Sequence, residues 1–314
     1  MPQQSPHWRV ALSLAILAAV CWGLLPIALR VALQGMDALT ITWYRFTTAA
    51  VLLGTYLVIK GRLPKLHGRS PVVAVLMAVA IVGLTVNYVM FVLGVQLTTP
   101  AIAETVIQLS NAFLLLGGVV FFKDSFGAVR WSGFAMLFGG LLLFFNRHLP
   151  LLFVGGSNMG LGVLLLVIGA LSWAGYGLAQ KQLMLTFDAP QTLLCLYISG
   201  ALLLSVFAHP MSLNALNLRQ LLALIFCCLN TLVAYGAFSE SLRLWEVSRV
   251  AATVATAPLF TLLGAAAAAR WATALSTPED LNALAILGAG CVVAGSAMCA
   301  LGARARSASG IRTA

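Results

Sequence analysis

The segment Cys21–Asp37, "CWGLLPIALRVALQGMD", has a counterpart far down the chain. At a shift of 151 residues it lies over Ser172–Asp188, "SWAGYGLAQKQLMLTFD". Trp22 falls on Trp173, Arg30 on Lys181 and Asp37 on Asp188. A shift of 147 then places Tyr88 on Tyr235, Phe91 on Phe238, Phe113 on Phe260 and Gly117 on Gly264, and a shift of 150 places Gly140 on Gly290. Each match alone is weak. Their order and near-constant spacing indicate a duplicated unit, with short insertions in the loops between matched blocks.

Composition names the solvent of that unit. Of 314 residues, 61% are hydrophobic and 8% charged, and mean hydropathy is +1.00. A soluble domain carries about 25% charged residues. So much apolar surface calls for lipid. The net charge of +10 does not indicate nucleic acid, because the basic residues stand singly between apolar runs. Cys21, Cys195, Cys227, Cys228, Cys291 and Cys299 all lie in apolar runs, with no C-x-x-C pair and no histidine nearby. They read as small core residues, and neither a metal site nor a cofactor is expected.

A span needs about 20 largely apolar residues, and lipid leaves the helix as the sensible element at that length. Ten such runs are present: 10–33, 39–59, 72–95, 100–122, 129–146, 159–183, 191–209, 219–238, 250–270 and 281–302. The first begins like a secretion signal, with Arg9 and then "LAAVC" ending at Cys21. It runs on to Leu33, too long for a signal core, and the repeat requires it. With the N-terminus inside, Arg9, Lys60, Arg62, Lys65, Arg69, Lys123, Arg130, Lys181, Arg243, Arg249, Arg304, Arg306 and Arg312 fall on the inner side. Arg30, Arg147, Arg219 and Arg270 fall outside. This bias predicts that both termini are cytoplasmic.

The expected fold class is all-α integral membrane: ten transmembrane helices as two five-helix repeats. Residues 1–146 and 159–303 form the repeats, 147–158 the linker, and 304–314 a disordered cytoplasmic tail. Five is odd, so the second repeat enters the membrane from the opposite side. Inverted repeats of this kind build many secondary transporters, with substrate bound near the midplane and access alternating as one helix set rocks on the other.

Ionisable groups inside spans are expensive and mark function by default. Arg45, in "ITWYRFTTAA", and Glu104, in "AIAETVIQLSN", are the two that lie well inside apolar runs. They stand roughly 9 and 6 Å from the outer ends of their spans at 1.5 Å per residue. Side chains of that length can meet if the second and fourth helices are neighbours. One reading is a structural ion pair, or Arg45 snorkelling to the interface. The other is that they line the substrate path, Arg45 holding a carboxylate and Glu104 an amine or a coupling proton. Neither has an ionisable twin in the other repeat, where Leu196 and Ala251 stand.

Glu104, Gln108 and Asn111 share a helix face by spacing. That face either lines the path or ties helices together. Asn87, Tyr88, Asn230 and Tyr235 are candidates to face the same space. Trp22 and Trp173, near mid-span and matched in the repeat, read as core packing or as an aromatic wall joined by Tyr176. Pro26 is a candidate hinge. Gly117, Gly118, Gly139, Gly140, Gly288 and Gly290 allow close helix approach. Glu240, Arg243, Glu246 and Arg249 read as a solvated cytoplasmic loop, with an inner gate as the competing reading.

Several stretches together resemble the EamA-type drug/metabolite transporters: "CWGLLPIALR", "YRFTTAAVLL", "GRLPK", "FFKDSFGAVRWSGFAMLFGGLLL" and "TVATAPLFTLLGAAAA". The resemblance covers nearly the whole chain. It implies a ten-helix protein of the bacterial inner membrane that moves small metabolites, often outward. The family proline of the fourth span is Asn111 here, and the ninth-span proline is kept as Pro258, a second candidate hinge. The family glutamate after the fourth span is Asp124, and Arg270 holds the matching place after the ninth.

Proton coupling and uncoupled diffusion both remain open. No P-loop is present to admit ATP as a direct drive. The expected partners are a small-molecule substrate and the lipid bilayer, with no nucleic acid; a homodimer is compatible. A membrane-embedded enzyme is the alternative. His7, His67, His148 and His209 all lie at span ends or in loops, which disfavours it. A sensor without transport lacks a soluble signalling domain.

Overall fold

Polar residues between apolar runs set the helix starts. Asp37 Oδ1 accepts from the Thr40 amide at 2.9 Å, and Thr99 and Ser70 cap helices that continue with a proline. Asn217 and Gln220 form a capping box. In a computed structural model that describes residues 8–65, 70–122, 127–146, 158–245, 247–271 and 282–301, these signals begin an all-helical chain, with no strand among those residues.

The helices are α1 (Trp8–Ala32), α2 (Ala38–Ile59), α3 (Pro71–Leu97), α4 (Pro100–Ile107), α5 (Leu109–Phe122), α6 (Ala128–Phe144), α7 (Asn158–Leu183), α8 (Ala189–Leu204), α9 (Leu218–Leu244), α10 (Val247–Val254), α11 (Ala257–Trp271) and α12 (Ala283–Leu301). A 3₁₀ turn covers Pro210–Ala215. Six stretches are long and apolar enough to cross a membrane: Trp8–Ala32, Pro71–Leu97, Pro100–Phe121, Asn158–Leu183, Leu218–Ser241 and Arg249–Ala267. Ala128–Phe144, Ala189–Leu204 and Ala283–Cys299 are apolar but shorter. α2 has the length, but Arg45 and its threonines lower its hydropathy. The linker, the tail, Asp124 and Glu246 lie outside the described residues.

The fourth and ninth runs were expected as single helices, and each is broken. α4 gives way to α5 at Gln108, and α10 to α11 at Ala255–Thr256. The 147-residue shift carries Gln108 onto Ala255. At the second break Pro258 has no amide hydrogen to continue the ladder. At the first, Asn111 has one, yet it donates to the Gln108 carbonyl at 3.1 Å, a tightened i to i−3 bond. Pro26, by contrast, stays within a continuous α1.

The tight packing runs between halves. α3 lies on α7 and α1 on α9; α5 lies on α7 and α1 on α11; α2 pairs with α8, and α6 with α12. Exchanging the halves maps this set of contacts onto itself, so the duplication persists in three dimensions. α6 and α12 approach to backbone contact. A Cβ on Gly140 would stand 2.7 Å from the Val292 nitrogen, and one on Gly295 would stand 2.5 Å from the Leu137 nitrogen. Gly140 and Gly288 thus act as the sequence suggests, whereas Gly139 and Gly290 meet nothing within 4 Å. The outward faces carry Val51, Val58, Ile59, Val72, Val75 and Leu202, as a lipid-facing surface requires.

The α2–α8 pair is tied at both ends. Gly61, with φ of 63°, ends α2 in the left-handed turn that suits glycine. The chain then delivers Arg62, which pairs with Asp188 at 2.5 Å, while Gln191 donates to the Arg62 carbonyl at 3.0 Å. At the other end, the Tyr44 hydroxyl donates to the Pro210 carbonyl and the His209 amide to Thr40 Oγ1, each at 2.9 Å.

Candidate functional site

Arg45 sits on α2 with only 3% of its surface exposed. Its Nε donates to Thr231 Oγ1 on α9 at 3.2 Å, and Thr231 passes its own hydrogen to the Cys227 carbonyl. The guanidinium carbon lies 4.4 Å from the centre of the Tyr88 ring on α3. The charge is therefore held by a π face and a single hydroxyl. No carboxylate pairs with it among the described residues.

Aromatic rings from both halves surround this point. Phe46 packs on Tyr88 at 4.7 Å and on Tyr197 at 5.8 Å, and Tyr88 stacks on Tyr235 at 6.5 Å. Trp22 meets Tyr235 edge-on at 5.4 Å and Phe238 at 5.3 Å. Trp173 meets Tyr176 at 6.4 Å. The Tyr88 hydroxyl lies toward those of Tyr197, Tyr235 and Thr231. Yet the Tyr88 and Tyr197 hydroxyls are buried without a hydrogen-bond partner among the described residues. Buried polar groups are nearly always satisfied, so two such phenols beside a cation with no acidic partner among the described residues make this place the candidate site.

The Arg45–Glu104 ion pair, one of the two readings of these charges, does not form among the described residues. Glu104 on α4 is 4% exposed and makes no hydrogen bond or ion pair with any described residue. The physical reason is in the packing: α4 lies on α1, α3, α7 and α11, whereas α2 lies on α3, α8 and α9. Depth along the membrane normal was similar for the two residues, and lateral position separates them.

Gln108 and Asn111 belong elsewhere too. Asn111 Nδ2 donates to Gln108 Oε1 at 3.1 Å and to Ser296 Oγ on α12 at 2.7 Å, and Ser296 Oγ donates to Gln108 Oε1 at 3.2 Å. This is a closed triangle that joins the first helix break to α12. Asn87 Nδ2 donates to the Gly169 carbonyl at 3.0 Å, and Asn230 Nδ2 to the Cys21 carbonyl at 2.6 Å. Each ties the third helix of one half to the first of the other. Of the sequence candidates, Arg45, Tyr88, Tyr235, Tyr176, Trp22 and Trp173 come together, whereas Gln108, Asn111, Asn87 and Asn230 are interhelical ties.

One family model, EamA-like transporter, matches the chain twice, over residues 9–146 and 160–301. The chain belongs to the EamA-like transporter family. It is a multi-pass membrane transporter. It is 38% identical over 288 residues to an uncharacterized transporter of Haemophilus influenzae, covering 92% of this chain and 94% of that one. It is 37% identical to the uncharacterized inner membrane transporter YhbE of Escherichia coli, covering 94% and 92%. A probable amino-acid metabolite efflux pump of Escherichia coli is 26% identical over 94% of this chain and 96% of its own. A crystal structure at 16% identity, covering 94% of this chain and 97% of its own, shares the fold with a TM-score of 0.61.

Sequence reading of this EamA-like transporter missed Tyr197, Phe46, Thr231 and Thr85. Tyr197 directly follows Leu196, the repeat mate of Arg45, so the repeat itself pointed one residue short of it. Thr231 stands one turn before Tyr235. Arg130 at the start of α6 is also buried, although its place after a loop suggested an interfacial cation.

Proposed function

We propose that this EamA-like transporter is a secondary transporter that moves small metabolites outward, amino acids or related compounds among them, through the Arg45 cluster. The observation that carries this is a buried guanidinium with no acidic partner among the described residues, held by side chains from both halves. A site shared between halves opens to one side or the other when the halves move, as alternating access requires. The broken helices α4–α5 and α10–α11 support the same reading, because discontinuous helices in paired positions are where such transporters handle substrate and coupling ions. Pro258 and Pro26 are the proposed hinges, and Glu104 beside the first break is the proposed proton carrier.

The proposed frame has ten spans, with repeats at 1–146 and 159–303 in inverted topology. Both termini are in the cytoplasm of a bacterial cell, and the protein sits in its inner membrane. The relative named for amino-acid metabolite efflux directs the first substrate panel. The test is flux into and out of proteoliposomes for amino acids, their derivatives, nucleosides and cationic drugs, with and without a pH gradient. Flux that Arg45→Ala removes supports the reading. Correctly inserted protein that moves none of these compounds overturns it.

A further inference from the structure

We infer that the Arg45 cluster selects an organic monoanion, a carboxylate on an apolar or aromatic body, over the zwitterion of the same size. The inference rests on the reading of this cluster as the substrate site and narrows it, from amino acids and related compounds in general to those relatives that carry the carboxylate without the ammonium.

Start with the donors. A guanidinium has five N–H groups in a fixed fork. Arg45 uses Nε toward Thr231, and its terminal nitrogens donate to no described residue. Next to it stand the Tyr88 and Tyr197 hydroxyls, buried and unpartnered, each able to donate one further hydrogen. Fork and phenols together match the two oxygens of a carboxylate, which accepts several hydrogen bonds and neutralises the charge. Phe46, Trp22 and Tyr235 then offer apolar area to the rest of the molecule.

Now add an ammonium. An α-amino acid carries it one carbon from its carboxylate, so it arrives inside the same cluster. It would face the positive charge of Arg45 with little water to screen it. The Tyr88 face that suits a cation is already taken by Arg45. No acidic side chain among the described residues pairs with Arg45. Glu104 is the one buried acid among them, and it stands on α4, which packs on α1, α3, α7 and α11 and not on α2. The site has a counter-charge for one end of a zwitterion only.

The experiment uses the full chain in lipid nanodiscs and three probes with one ring and different charges: phenylacetate, phenylalanine and phenethylamine. Calorimetry should show phenylacetate binding at least tenfold tighter than phenylalanine, and phenethylamine not at all. Arg45→Lys, which keeps the charge and loses the fork, should weaken phenylacetate severalfold. Tyr88→Phe combined with Tyr197→Phe should weaken it likewise while the melting temperature changes little, because neither hydroxyl has a well-aligned hydrogen-bond partner among the described residues. Phenylalanine binding as tightly as phenylacetate, with Arg45→Lys weakening both, overturns the charge selection and leaves the site standing. Phenylacetate binding that is indifferent to all three substitutions overturns the site with it. No binding of any probe, alongside proteoliposome flux of some other compound, overturns the inference and spares the transport reading. Lowered thermal stability in the double phenylalanine variant, with binding unchanged, makes the hydroxyls structural and also overturns it.

Discussion

Gln108, Asn111 and Ser296 form a closed triangle of hydrogen bonds, whereas Arg45 and the hydroxyls around it leave donors and acceptors unused. Both groups sit in an apolar bundle, and both join the two halves. In the triangle, Asn111 Nδ2, Gln108 Oε1 and Ser296 Oγ each have partners within the protein, so the contact holds α5 to α12. Around Arg45 the charge has a ring face and one hydroxyl, and the phenols nearby are unmatched. A polar group that is complete stabilises a fold. A buried polar group that is incomplete is a candidate for completion by a ligand, which is what we propose for Arg45. Polarity within a span therefore does not by itself distinguish glue from site; the state of the hydrogen bonds is the further guide, and charge adds to it, since the tie at Asn230 also keeps a buried Oδ1 without a partner among the described residues.

The comparison breaks most readily at Arg45. Arg45→Ala should lower initial transport rates in proteoliposomes at least a hundredfold at matched insertion, with Arg45→Lys recovering only part, since an ammonium lacks the fork. Transport surviving in the alanine variant would put Arg45 with the structural groups. Glu104→Gln should remove the response of transport to an imposed pH gradient, roughly tenfold if the gradient drives the cycle, while leaving counterflow at equal pH intact. A response that persists in this variant would move proton coupling elsewhere.

On the closed side, Asn111→Ala deletes two hydrogen bonds and leaves Ser296 and Gln108 partly unmatched. Unfolding should become easier by about 1–3 kcal/mol, read as a lower melting temperature, with substrate preference unchanged. A changed preference would place the triangle in the substrate path after all. The smallest effect is expected at Arg62–Asp188, whose side chains are 54% and 57% exposed. Exchanging the two charges should alter stability by no more than about 1 kcal/mol, and less at high salt. A larger loss would show that the α2–α8 tie matters more than its exposure implies.

Much of this was legible in the chain itself. The caps at Asp37, Ser70, Thr99 and Asn217 start helices where the sequence reading began its spans, within a few residues. The duplicated Trp22/Trp173 block anticipated a set of contacts that maps onto itself when the halves are exchanged. The break at Gln108 was not legible, because Asn111 has an amide hydrogen and no local rule ends a helix there. The pairing of Arg45 with Glu104 failed because spacing along a helix reports depth and face, not which helices are neighbours. Tyr197 and Thr231 were invisible for the same reason: each is an ordinary residue of its own helix and acquires meaning only beside Arg45.

The sequence by itself determined the solvent, the helical class, the duplication and the presence of two costly charges. These follow from composition and period, which are local and additive along the chain. Only the tertiary structure decided which polar residues satisfy one another. That depends on how α2, α3, α8 and α9 are laid side by side, and lateral packing is a property of pairs of surfaces rather than of any one segment. It separated Glu104 from Arg45, closed the triangle at Ser296, and left an unpaired guanidinium among tyrosines from both halves.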